Sequence, residues 1–223
     1  MTAEGRTFNN PALPHHRPQP TTKTPAQARG DLAQTLAAAA RARALVLLGV
    51  APGGIALLGP DPARFWSALA ASPEWGAPDP VDRWSARVVG AWADELDVEA
   101  RFPFGDPPAP FVRWALASGC HLSPVGMLVH PEQGLTVSFR GALVVPGLAA
   151  TTAPDPCTDC SAPCRTACPV GALREGYDVA ACRAWLGSPQ GDCLARGCAA
   201  RRACPLSQPR PDAQSAHHMR HFA

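Results

Sequence analysis

The chain has 223 residues, 46% hydrophobic and 17% charged, with a formal net charge of +2. That composition supports a folded protein of one or two domains with a real core. So slight a charge gives no electrostatic case for nucleic acid or a membrane surface, and neither is expected as a partner. No apolar run approaches the ~20 residues of a membrane helix. Met1–His16 lacks the charged-then-apolar pattern of an export signal. With nine cysteines, the expectation is a cytoplasmic, reducing setting in which thiols ligate metal rather than pair.

Residues 1–30 are polar and proline-rich and read as a disordered tail. Asp31 is the predicted N-cap of an alanine-rich helix to about residue 43. ALVLLGV (44–50) and IALLGP (55–60), separated by Pro-Gly-Gly, read as two buried strands. Residues 61–72, 79–97 and 110–119 each place a proline near the start of a predicted helix. In the second of these, Trp84, Val88, Trp92 and Leu96 form a stripe at four-residue spacing. Residues 126–147 alternate around Pro-Glu-Gln-Gly and predict a β-hairpin, with a further strand after Gly141. The expected organisation is an α+β chain: the tail, an α/β domain over 31–150, and a small cysteine-rich domain over 151–223.

That last domain carries the chemistry. From Cys157 the chain reads C-x2-C-x3-C-x3-C-P, giving Cys157, Cys160, Cys164 and Cys168 before Pro169. Cys182, Cys193, Cys198 and Cys204 follow, the last again before a proline, so eight cysteines fall within 48 residues. Tight thiolate spacings closed by Cys-Pro are how bacterial ferredoxins hold iron–sulfur cubanes, and eight ligands suit two [4Fe-4S] clusters. A sequential partition gives each cluster four neighbours in the chain. A crossed partition gives Cys157, Cys160, Cys164 and Cys204 to one cluster and Cys168, Cys182, Cys193 and Cys198 to the other. In two-cluster ferredoxins the fourth cysteine of such a run serves the other cluster, and a helix started by the proline would carry it there. The crossed partition is therefore preferred. Two structural zinc sites are the alternative, though these usually present paired C-x2-C knuckles. The wide spacing around Cys193 makes it the weakest ligand, leaving room for a three-iron cluster or a non-cysteine ligand. Cys120 reads as a core residue.

The segments CTDCSAPCRTACPVGAL, YDVAACRAWL and GCAARRACPL resemble, in order and layout, the iron–sulfur module of epoxyqueuosine reductases and corrinoid reductive dehalogenases. The nearer likeness is to short ferredoxin-like [4Fe-4S] proteins of proteobacteria. The resemblance implies that Cys182 is the isolated cysteine about a helix after the first run and Cys204 the last ligand of the first cluster. It also implies a bis-[4Fe-4S] ferredoxin-like C-terminal domain. More weakly, through GMLVHPEQGLTVSFRGALVV, it implies a nitroreductase-like, corrinoid-binding N-terminal domain. Ser123-Pro124-Val125-Gly126 replaces the glycine-lysine-asparagine signature of the reductases, so no catalytic residue is assigned and a corrinoid has no motif behind it.

His217, His218 and His221 near the C-terminus, and His121 and His130 at the hairpin, read as solvated or hydrogen-bonded groups before they read as ligands. A helix packing Met219 and Phe222 beside the clusters is expected. Arg140 reads as a strand-end ion pair, with an anionic ligand as the alternative. Arg196, Arg201 and Arg202 offset cluster charge or simply face solvent. The function expected is one-electron relay to a redox partner protein. A corrinoid- or flavin-dependent reductase is the alternative.

Overall fold

The computed structural model describes residues 24–220; the tail over 1–23, His221 and Phe222 lie outside them. The first helix, α1 (Pro25–Ala42), starts inside the segment read as tail. Asp31 is not its N-cap: Thr24 and Gln27 form a reciprocal capping box, with Pro25 in the first turn. That pattern satisfies two orphan donors and outweighs the proline-rich composition around it.

Strands β1 (Leu45–Ala51) and β2 (Ile55–Pro60) pair antiparallel across the Pro-Gly-Gly turn. Gly54 there has φ +75, and a Cβ would sit 2.1 Å from the Val145 carbonyl oxygen, so only glycine fits. Helix α2 covers only Phe65–Ala70, because Asp61 folds its carboxylate back onto the Ala63 and Arg64 N–H groups and makes a turn first. Helix α3 (Pro80–Leu96) opens on proline as expected. Its buried stripe is Trp84, Ser85, Val89, Trp92 and Ala93, while Leu96 is 43% exposed. The period of 3.6 rotates a strict four-residue stripe off the core by its third repeat.

Strand β3 (Glu99–Arg101), unforeseen in the sequence, is followed by α4 (Phe111–Leu116) and the short pair β4 (His121–Leu122) and β5 (Leu128–Val129). Then β6 (Gly141–Val144) enters between β2 and β3. Among the described residues this gives an antiparallel sheet of order β1-β2-β6-β3, in a mixed α+β architecture. One face packs Leu45, Val50, Leu58 and Leu143 against α1, α2 and α3. The other packs Leu48, Leu57 and Ala142 against Phe111, Ala115 and Cys120. Phe65 meets Trp84 edge to face at 5.1 Å, a pair worth about 1 kcal/mol beyond its burial.

The hairpin expected over 126–147 does not form. β5 pairs with β4, and after the His130–Gly134 bridge residues 135–140 form no strand. The reason is competition for backbone groups. The Leu135 N–H donates to Ser207 Oγ, the Leu135 carbonyl accepts from Arg201, and the Thr136 carbonyl accepts from Arg210. The C-terminal segment thus takes the bonds a second arm would have used.

That segment is built of short pieces: α5 (Val179–Leu186), α6 (Cys193–Arg196), α7 (Ala199–Ala203) and α8 (Asp212–Met219). Neither Cys-Pro proline starts a helix. Pro169 and Pro205 lie in turns, the first ended by Gly171 at φ +64. Met219 packs beside Leu186 and Cys193. The join at 151–156 is anchored to the sheet: Thr151 exchanges bonds with Val50 and donates to the Ser118 carbonyl. No described helix is long and apolar enough to cross a membrane.

Candidate metal centre

The first thiol group is mostly local. The Asp155 carboxylate accepts the Cys157 N–H at 2.9 Å, and the Cys157 carbonyl accepts the Cys160 N–H at 3.2 Å. The Ala162 N–H is directed at Cys160 Sγ, 3.4 Å away. Ala162, at φ +52, turns the chain into a single 3-10 turn, Pro163–Arg165, which buries Cys164. Helix α7 packs on that turn and ends at Cys204, bringing the last cysteine back to the first run. The four thiols influence one another. Burial first pushes the Cys157 thiol up, and Asp155, Cys160, Cys164 and Cys204 add to it. Cys164 is raised by burial and then chiefly by Cys204. Thiolates gathered in this way repel until a cation neutralises them.

The second group is assembled from distant segments. Cys168, Cys182, Cys193 and Cys198 all line one cavity of about 290 Å3, with Val125, Met127, Trp185 and Met219 among its walls. Cys168 comes from the loop before Pro169. Cys182 rides on α5, whose start is fixed by the Asp178 carboxylate accepting the Ala181 N–H at 2.9 Å. Cys193 opens α6, and Cys198 is the N-cap of α7. Cys193, the weakest ligand on sequence grounds, is only 6% exposed and faces the same cavity as the other three. Burial raises its thiol, while the Ala199 N–H and the Trp185 indole pull it back. That indole N–H reaches no acceptor at hydrogen-bond geometry, so its influence is that of a nearby dipole. Cys198 also packs in the cluster around Cys164 and so lies between the two groups.

Two side chains complete this wall. Tyr177, the chain's single tyrosine, has its phenol pushed up to about 12, first by its interaction with Cys182 and then by burial. Sequence reasoning passed over it, although a lone tyrosine five residues before a ligand candidate was a usable signal. Arg201 is mostly buried, and its guanidinium is lowered by desolvation while Cys198 favours the charged form. It donates to the Leu135 carbonyl at 3.1 Å. Arg196 and Arg202 instead share Asp192 at the surface.

Among the described residues, no three His, Cys, Asp or Glu side chains are gathered tightly enough to hold one metal ion. His130 lies apart from the thiols and spends both ring nitrogens on the backbone. Its Nε2 pairs with the Leu48 carbonyl at 2.7 Å, and its Nδ1 accepts the Glu132 and Gln133 N–H groups. His121 Nε2 pairs with the Ala153 carbonyl. His217 lies tilted against Trp66, at 5.7 Å between ring centres. Cys120 is a core thiol that burial pushes up to about 11. Trp84 and Trp92 are core as expected.

Compared with known protein families, curated proteins and solved structures, the chain matches none.

Proposed function

We propose that the chain is an electron-transfer protein holding two [4Fe-4S] clusters. Cys157, Cys160, Cys164 and Cys204 would hold one, and Cys168, Cys182, Cys193 and Cys198 the other. The observation that carries this reading is the meeting of four cysteines from a loop and three helices on one cavity. They are the same four that the crossed partition assigns to a single cluster.

Bound there, the clusters would supply one-electron oxidation and reduction, chemistry that needs no acid–base residue. The residues of the chain set the conditions. Met127, Trp185 and Met219 exclude water from the second group, Arg201 supplies positive charge, and Tyr177 stands against Cys182. Burial, charge and contacts to sulfur are what set a cluster's potential. The resemblances of the sequence and its cysteine usage extend the proposal: a ferredoxin-like domain over 151–223, a nitroreductase-like domain over 31–150, a cytoplasmic setting and a protein redox partner. The corrinoid alternative gains nothing from His130, whose ring nitrogens are both engaged.

The test is the absorbance and metal content of anaerobically purified protein. A broad band in the blue, bleached by dithionite, with about eight irons per chain supports two clusters. A colourless chain carrying zinc overturns the proposal. Bound flavin or cobalamin bands would favour the reductase alternative.

A further inference from the structure

Another cavity, of about 460 Å3, lies between α2, the start of α3, the segment before β6, and α8. It falls in the size range of small-molecule sites. Arg140, Arg210 and Arg220 line it, and Trp66 forms part of an apolar wall. Trp66 is held edge to face by Trp75 at 5.2 Å. Arg140 is half-buried, and burial pushes its guanidinium down to about 10. Its Nε is buried and donates to no group among the described residues. Arg210 is also half-buried and is pushed down to about 10, by burial and then by Arg201 and Arg140. One of its N–H groups goes to the Thr136 carbonyl. The Gln214 side-chain oxygen is buried in the same wall without a hydrogen-bond partner among the described residues.

Asp79 and Asp82 at the start of α3 also line the cavity, and the Asp82 charge favours the charged form of Arg140. Even so, desolvation is the dominant influence on both arginines. A buried cation with an unsatisfied donor is stabilised when an anion with a matching oxygen enters. Guanidinium forks suit the planar or tetrahedral oxygens of acids, and charge-assisted bonds of this kind are the strong ones.

We propose that this cavity binds a small organic anion, its carboxylate or phosphate on Arg140 and Arg210 and its apolar body against Trp66. His218 lines both this cavity and that of the second thiol group, so the anion would sit next to that group. The proposal does not depend on iron loading.

The probes are benzoate and phenyl phosphate, which share a ring and differ in acid group, with neutral benzamide and matched chloride as controls. Calorimetric titration of the full chain should give saturable binding of at least one acid and none of benzamide. The acid preferred identifies the head group. Arg140→Met and Arg210→Met should each weaken it by at least about tenfold, the equivalent of one charge-assisted hydrogen bond. Arg113→Met, an exposed change on α4, should leave it unchanged. Should the buried variants fail to fold, Arg220→Met at the exposed rim should still weaken binding severalfold. No saturable binding of either acid, or wild-type affinity in every folded cavity variant, overturns the proposal. The iron content of the same samples is measured separately, so this outcome leaves the electron-transfer reading to stand or fall independently.

Discussion

The two thiol groups differ in how they are made. Cys157, Cys160 and Cys164 sit on one short loop, whose own backbone holds the turn through Asp155, Cys157 and Ala162. Only Cys204 has to arrive from elsewhere. The four cysteines of the second group come from a loop and the starts or middles of three helices, and they meet only when those pieces pack. Local geometry sets three ligands of the first group and packing of α7 brings the fourth, whereas tertiary contacts create the whole of the second. Both groups depend on the sheet half of the molecule, because the segment that docks on Leu135 and Thr136 through Arg201, Ser207 and Arg210 carries Cys204 and continues from α7, which Cys198 caps.

The strongest way to break that dependence is at Gly134. Its φ is +55, and a Cβ would lie 2.3 Å from the Ser207 nitrogen, a backbone atom that cannot yield cheaply. Gly134→Ala should destabilise the chain by about 3 kcal/mol, combining backbone strain with lost docking. Denaturant unfolding reads the loss. Metal content should fall first at the first group, since its Cys204 accepts a backbone bond from Ser207 in the docked segment. Wild-type stability in this variant would mean that the docking carries little weight.

The partition of ligands is sharpened by a pair of single changes. Cys204→Ala should cost about half the iron, from the group held by Cys157, Cys160 and Cys164, and Cys182→Ala should cost the other half. The two variants should then show complementary cluster signals in electron paramagnetic resonance. Loss of the same signal in both would refute the crossed partition. A smaller effect is expected at Arg201. Removing this buried charge with Arg201→Leu should lower the potential of the second cluster by roughly tens of millivolts, leaving the first nearly unchanged. Equal shifts at both would place the arginine between the groups instead.

The smallest expected effect lies far from the thiols and serves as a control on the sheet half. The Arg87 guanidinium beside Glu74 holds its carboxyl down at about 2, from an ordinary 4.5. A carboxyl lowered in the folded state stabilises it above the unfolded value, and that contribution is lost as pH falls through the folded one. The loss therefore spans about pH 4.5 to 2. Glu74 is tucked under Arg87 at 11% side-chain exposure but lies at the protein surface, so solvent screening keeps the effect small. Thermal melts of Glu74→Gln should show a shallower acid slope than wild type, with metal binding at neutral pH unaffected.

Residue pattern alone determined the β1–β2 pair, the proline-led α3, the buried Cys120 and the candidate set of eight thiols. Each is a local signal: a turn sequence, a helix start, a small apolar residue or a ligand spacing. Tertiary structure decided the rest. Residues 135–140 alternate like a strand, yet the backbone groups of Leu135 and Thr136 are claimed by a segment some 70 residues onward, a competition that no local window contains. Leu96 fits a four-residue stripe but faces solvent, because the sheet lies along a direction set by 3.6 residues per turn. Cys193 looked doubtful by spacing and is one of four thiols around a shared cavity. Ligand spacing constrains a loop, but it says little about helices that carry their cysteines together by packing.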